Sequence, residues 1–444
     1  MPFTNSSPGT GTLTPGSQLT PLGSEPQLPS APNQQILPTS PDAGILKALV
    51  TEEQALNNTL MTGPRAEWLR RQLGVARAGI TQAKVLPNPA IEFDNGYAEF
   101  SYRVGVAIPI EPPWKLFLRL VAAKANLGVV ELQMEQALWS LRADTRRAYT
   151  ELVIAEEAAV MMRNLATLTS ELADAAGKRY GAGDVAKLDK FKADLAFQQA
   201  DIDAGQAERR VIQAREQLNI IMGRDENASV SVPPLTAAQV RAENNQLLPD
   251  LTKPMPPLGQ YFKEALEDRL EIKLVKQEIT ATKAGRKVAI GNIVPNGQLA
   301  FGYDRQLNFP PEANFNRMYL MGSFPIPVFD RQQGELARLR ATLVQLNAEQ
   351  GAQQNIVKGQ VALAYRKVVN ARENIRKYQA QVLAQSEKVS ELGRLSYRLG
   401  QTDITSALNA QQANIQVRNL YLNEVLNYQQ AFTDLEQAVG HILR

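Results

Sequence analysis

The chain is written twice, and this duplication limits what it can fold into, because a repeated sequence builds a repeated supersecondary unit. Leu86-Pro87-Asn88 returns as Val294-Pro295-Asn296, 208 residues on, and Ile108-Pro109-Ile110 as Phe324-Pro325-Ile326, 216 residues on. Ala148-Tyr149 matches Ala364-Tyr365 at that same spacing. Tyr180, Gly183 and Gly223 match Tyr397, Gly400 and Gly440 at 217. An ordered series of this kind is not chance. The change in spacing puts about eight extra residues between the Pro-Asn and Pro-Ile landmarks of the second copy, where a loop is expected.

Between those landmarks the hydrophobic period is two. Phe100, Tyr102, Val104, Val106, Ile108 and Ile110 fall on one side of a strand, and Glu99, Ser101, Arg103, Gly105 and Ala107 on the other. Ile91 and Phe93 alternate with Glu92 and Asp94 ahead of Asn95-Gly96, a favoured two-residue hairpin turn because both residues tolerate positive φ. The second copy repeats the hairpin with Leu299, Phe301 and Tyr303, a loop near 306–313 and a strand over 315–324 that alternates less regularly. Strands of about ten residues with one apolar face suit a membrane barrel, and also a half-buried sandwich hairpin.

After each strand hairpin the period becomes helical and stays so, over 115–177 and 184–222 in the first copy and over 332–399 in the second, without a proline. A helix of about 65 residues reaches roughly 100 Å. Met134, Leu138, Leu141, Thr145, Ala148, Leu152, Ala155, Ala159, Met162, Ala166, Thr169, Ala173 and Ala176 advance by alternating steps of four and three. That is a heptad seam, and its alanines let helices approach closely. Tyr180-Gly181-Ala182-Gly183 and Arg398-Leu399-Gly400 break the long helices, so each copy is expected to hold an antiparallel helical hairpin. Helices over 64–85 and 261–289 lead into the two strand hairpins, and the proline-rich stretch 225–258 reads as a linker.

Composition narrows the chemistry. Lys plus Arg number 48 against 45 Asp plus Glu, with no basic stripe to suit a nucleic acid. There is no cysteine, which removes disulfides, thiolate metal sites, thiol nucleophiles and a lipid on an N-terminal cysteine. The single histidine, His441, cannot build an imidazole metal cluster or an ordinary histidine triad within one chain. No phosphate-binding loop or paired-carboxylate site stands out, so no enzyme, cofactor or metal is expected; pairs such as Glu156-Glu157 read as solvated helix faces. No run of about 18 apolar residues occurs, so any membrane crossing would use strands. Residues 1–44, rich in Pro, Ser, Thr, Gly and Gln, lack the basic and apolar regions of a signal peptide and are expected to be disordered.

The twofold order of strand hairpin and long helices resembles the TolC-like outer-membrane efflux family over residues 46–444. The marks are Val85-Leu86-Pro87-Asn88-Pro89, Ala265-Leu266-Glu267-Asp268-Arg269, Arg179-Tyr180-Gly181-Ala182-Gly183-Asp184-Val185 and Tyr397-Arg398-Leu399-Gly400-Gln401-Thr402-Asp403-Ile404. The resemblance implies a mainly α fold with a small membrane β part, in which three chains close a 12-stranded β-barrel continued by an α-helical periplasmic tunnel. A four-stranded protomer alone would leave open edges in lipid. The expected domains are an N-terminal segment, 1–44, and a first repeat, 45–224, with its strand hairpin over about 89–110 and helical hairpin over about 114–222. A linker or equatorial segment, 225–260, leads to a second repeat, 261–444, with hairpins over about 296–326 and 330–440.

The implied function is passive conduction from an inner-membrane pump of the RND, ABC or MFS type, through a periplasmic adaptor, across the periplasm and the outer membrane. The implied partners are two further copies, the adaptor, the pump and outer-membrane lipid. Tyr180, Gly183, Asp184, Leu399, Gly400 and Asp403 would form the periplasmic tip that meets the adaptor. Asp189, Tyr397 and Thr402 would tie the closed gate, and Ser406 and Asn409 would ring the aperture. Thr402 stands where some relatives place arginine, and Ser406 and Asn409 where they ring aspartates, which weakens the expectation of strong cation selectivity. The alternative is a soluble coiled-coil scaffold, which has no need of duplicated strand hairpins.

Overall fold

A computed structural model describes residues 49–96, 101–233, 248, 250–251, 253–306 and 315–443. The disorder expected of 1–44, much of the linker expected over 225–258, Glu99 and Phe100, and nearly all of the loop expected over 306–313 fall outside them.

Thr51 opens the described chain with a capping box, exchanging hydrogen bonds with Gln54 at 3.0 and 3.3 Å, and starts α1 (Glu52–Asn57). A π-turn, Asn58–Thr62, leads to α2 (Pro64–Lys84), which begins on a proline whose missing N–H is one the helix would leave unbonded. Then follow β1 (Ala90–Gly96), β2 (Ser101–Ile110), α3 (Pro113–Gly181) and α4 (Lys187–Met222). The second half runs α5 (Leu258–Asp268), α6 (Leu270–Gly291), β3 (Gly297–Gln306), β4 (Phe315–Ser323), α7 (Gln333–Lys377), a π-turn over Tyr378–Val382, α8 (Leu383–Arg398) and α9 (Ile404–Val439). These elements belong to one compact unit, Lys47–Arg444. The fold is mainly helical with a small sheet.

Two helices differ from expectation. The lead-in helix read over 261–289 is two helices, because Arg269 takes extended geometry (ψ 125°). Tertiary contacts set that break: its buried guanidinium reaches Glu271 and Gln360, and Gly440 packs on its backbone. The helix read over 332–399 carries one π-turn, a local widening that long helices tolerate at small cost.

Strand order is β1-β2-β3-β4, all antiparallel, with Val104 opposite both Phe93 and Tyr303 and Phe301 opposite Leu320. Among the described residues the outer edges of β1 and β4 carry no neighbour. Each strand continues into, or out of, one helix, so α2, α3, α6 and α7 lie side by side in the order of the strands. Farther from the sheet the neighbours are α4, α3, α9 and α8. Helix α3 has 69 residues and spans about 100 Å.

None of the thirteen heptad positions on α3 is exposed, and Leu141, Thr145, Ala148, Leu152, Ala166, Thr169, Ala173 and Ala176 are buried. Midway along α3 the layer thickens. Leu152 joins Val357, Val361, Tyr428 and Leu435 in the largest core, which α1, α5 and the parallel bridge of Leu49 with Ser231, where the Val50 amide donates to the Ser231 carbonyl, close over. Inside it Arg146 bonds Glu436 (2.5 Å) and Glu52 (3.0 Å), and Arg142 reaches Glu436 (3.1 Å). Burial raises the Glu52 carboxyl above the usual range, with Arg146 opposing.

Candidate functional site

Alternation gives the sheet two unlike faces. Ile91, Phe93, Tyr102, Val104, Ile108, Phe301, Tyr303, Met318 and Leu320 stand exposed on one. Apolar side chains left bare on a whole sheet face require a covering that is not water. The other face is polar and cross-linked. Gln298 donates to Glu92 (2.8 Å), Arg317 donates to Asp304 through two nitrogens (2.7 and 2.9 Å), and Arg103 lies 3.5 Å from Asp304 and 4.0 Å from Asp94. Arg103 also rests over the Tyr319 ring at 5.1 Å. That ring crosses a glycine pair. A Cβ on Gly302 would stand 2.3 Å from the Val104 carbonyl oxygen, and one on Gly105 2.1 Å from the Tyr319 hydroxyl. Where the strands pass into helices, the exposed aromatic side chains Trp114, Phe117, Phe324 and Phe329 form a band of the kind that flanks the apolar belt of a membrane barrel.

At the far end of the helices the two breaks have one geometry. Gly183 and Gly400 take positive φ (81° and 72°), and both turns close with the paired backbone bonds of a Schellman motif: Gly183 N to Tyr180 O and Asp184 N to Arg179 O, Gly400 N to Tyr397 O and Gln401 N to Ser396 O. Tyr180, Asp184, Leu399, Thr402 and Asp403 lie exposed around them. The structure thus brings the residues read as the tip to one end of the helical layer.

The gate residues are divided. Tyr397 is 3% exposed, packed among Leu172, Ala176, Ala193, Ile404 and Ala407 from both helical hairpins, and its hydroxyl has no hydrogen-bond partner. Asp189, in the first turn of α4, is half-buried and makes no bond to it within this protomer. The link between the hairpins is one that sequence reading passed over: the Arg179 guanidinium lies 5.3 Å from the Tyr397 ring centre and 3.5 Å from its carbonyl oxygen. Lys192 adds a bond to the Thr405 hydroxyl (3.2 Å). Arg179 stands in the quoted tip segment, but nothing in the sequence says that it faces residue 397. Asp403 caps α9, accepting from the Ser406 amide (3.1 Å) and hydroxyl (2.5 Å), and these bonds hold its carboxyl below the usual range. Ser406 is thereby occupied at the cap, and Asn409 is exposed.

Among the described residues no helix is long and apolar enough to cross a membrane, and no group of three or more His, Cys, Asp or Glu could hold a metal ion.

Residues 67–224 match the family model described as outer membrane efflux protein. The chain is 25% identical over 373 residues to the cobalt-zinc-cadmium resistance protein CzcC of Cupriavidus metallidurans, covering 83% of this chain and 85% of that one. Its fold is that of the CmeC outer membrane channel of Campylobacter jejuni (TM-score 0.68, 14% identity, 88% and 85% of the two chains). It also matches the outer membrane protein VceC of Vibrio cholerae (TM-score 0.67, 14% identity, 88% and 96%). The chain is thus similar in sequence to outer membrane efflux proteins over residues 67–224, and a sheet bare on one face and polar on the other, joined to helical hairpins of this length, is the fold it shares with CmeC and VceC.

Proposed function

We propose that three copies of this chain close one duct through which substrates handed over by an inner-membrane pump pass across the periplasm and the outer membrane. The observation that carries the reading is the four-stranded sheet, apolar and exposed on one face, polar and cross-linked on the other, and unpaired at both edges. In lipid those edges leave backbone groups unsatisfied, and closure with other copies is the remedy that needs no further protein. Three copies give twelve strands.

The helical layer supports the same closure. Its edge helices carry apolar stripes at heptad spacing that no described residue of the protomer covers. From the middle of the layer toward the sheet these are Met61, Trp68 and Val75 on the α2 side, and at mid-layer Ile356 and Leu363 on α7. Toward the tip they are Leu188, Leu195 and Ile202 on α4 and Leu392, Leu395 and Leu399 on α8 or at its end. Seams between such stripes bury apolar area along the whole length of the layer.

In this reading the polar strand face and the matching side of the helices line the lumen, and Tyr180, Gly183, Asp184, Leu399, Gly400 and Asp403 meet a periplasmic adaptor. Asp189, Tyr397 and Thr402 tie the closed gate, with Tyr397 buried between the two hairpins of its own protomer and the half-buried Asp189 and exposed Thr402 free to meet a neighbouring copy. The duct conducts and does not transform its cargo, and the choice of cargo belongs to the pump. The metal resistance in CzcC's name is that protein's. Single-channel recording of the purified chain in a planar bilayer, beside a test for a heat-modifiable trimer, decides the matter. Discrete, long-lived openings from a trimer bear the duct out. A water-soluble helical oligomer that never inserts refutes it and favours a scaffold.

A further inference from the structure

We propose that the groove between α3 and α6, just below the sheet, seats one phospholipid of the periplasmic leaflet, with an acyl chain against Trp114, Leu118, Ile290 and Val294 and the phosphate on Lys287. The proposal rests on the reading of the sheet as membrane-spanning. The groove has a volume of 440 Å³ and is lined by those five residues and Gly291, a size ordinary for small-molecule sites and too small for a folded partner. Gly291 makes it possible. A Cβ there would stand 2.7 Å from Leu118 Cδ1, so its absence lets the two helices converge at the base.

Sidedness follows from hydrogen bonding. Lys115 donates to Asn296 (2.7 Å) and Arg119 to Glu111 (2.7 and 2.9 Å), and Asn296 and Glu111 continue the polar alternation of β3 and β2. That side of α3 therefore belongs with the lumen. Phe117, exposed in the aromatic band, lies about 200° round the helix from Lys115, on the opposite side. On α6 and just past it, Lys287, Ile290 and Val294 recur at steps of three and four and form one stripe along the groove.

The groove stays open in the closed assembly, because α3 and α6 are the inner pair of the four helices and the seams fall at α2 and α7. Trp114 both lines the groove and belongs to the exposed aromatic band, and an apolar groove that opens at that band takes a hydrocarbon chain. Its charged lining residue, Lys287, is exposed, has no ion-pair partner among the described residues, and sits one helical turn before the end of α6 and ten residues before β3, at headgroup depth, where a phosphate complements it.

The chain has three tryptophans. Replacing Trp68 and Trp139 with phenylalanine leaves Trp114 as the sole emitter. The trimer in detergent is then titrated with phosphatidylglycerol brominated on its acyl chains, which quenches a neighbouring indole. The expected result is saturable quenching at one lipid per protomer. Lys287→Gln should raise the half-saturating concentration about fivefold, the effect of one lysine at a lipid surface, and Val294→Phe, which fills the groove, should abolish saturation. A conducting trimer whose quenching rises without saturating, or whose midpoint ignores Lys287→Gln, overturns this proposal alone. A chain that neither trimerises nor conducts overturns the membrane reading and this proposal together.

Discussion

Arg146→Ala tests the charge pocket at the middle of the helical layer. Arg146 sits between two carboxylates, 2.5 Å from Glu436 and 3.0 Å from Glu52, with side-chain exposures of 9%, 2% and 13%. Removing one member of a buried ion pair strands the other, at a cost of about 3–5 kcal/mol. Here Glu436 keeps Arg142 (3.1 Å) and the Leu443 amide (3.1 Å), so the lower end, about 3 kcal/mol, applies. That corresponds to a fall of about 3 °C in melting midpoint for a chain of this length. The loss depends on pH. Burial already raises the Glu52 carboxyl, and Arg146 is the largest opposing influence, so the substitution raises it further. A carboxyl whose folded pKa exceeds its unfolded value binds a proton on folding. Its penalty is absent below the unfolded value and complete above the folded one. The deficit of Arg146→Ala is therefore larger near about pH 7.5 than near about pH 5. The assay is the thermal unfolding midpoint of the purified protein, scanned at one fixed rate so that variants compare even where unfolding is irreversible. A deficit that is constant or grows toward acid refutes the argument. So does a Glu52→Gln, Arg146→Met, Glu436→Gln triple variant as unstable as the single one, because removing all three charges should recover most of the loss.

Three further outcomes follow from the two ends of the molecule. Arg179→Ala removes the contact between the helical hairpins at the tip, a cation–π interaction of about 1 kcal/mol, and should raise the open-to-closed ratio in single-channel records about fivefold; an unchanged ratio would show that the tip is held elsewhere. Asp304→Ala leaves Arg103 and Arg317 without their shared carboxylate and should shift the reversal potential in a salt gradient toward anions, whereas no shift would mean that this face does not line the lumen. The Asp403 cap holds its carboxyl below the usual range, so its contribution is present above the unfolded value and is lost as pH falls through the folded one. Limited proteolysis near residue 403 should accelerate in acid for the natural chain and should be fast and independent of pH in Asp403→Ala.

Periodicity is a local property, and what depends on it was legible in the sequence. The alternation from Tyr102 to Ile110 marks β2, and its odd-even sense assigns the exposed and cross-linked faces of the sheet. The step of four and three from Met134 to Ala176 marks the buried seam of α3. Gly183 and Gly400 mark turns because a left-handed C-terminal position excludes most other residues, and the structure finds positive φ at both. What lay beyond reach is every contact that depends on which helix neighbours which. Arg146 meets Glu436 across 290 residues, Arg179 meets Tyr397 across 218, and Lys115 meets Asn296 across 181. Arg269, at the end of a helix, meets Gln360 across 91 residues and Gly440 from near the end of the chain. The sequence alone determined the length, period and turning points of the elements, since each is set by residues within a few positions of one another. Only the tertiary structure decided which charges are buried together, which ring an arginine covers and where a groove opens, because those depend on distances between segments that no local pattern encodes.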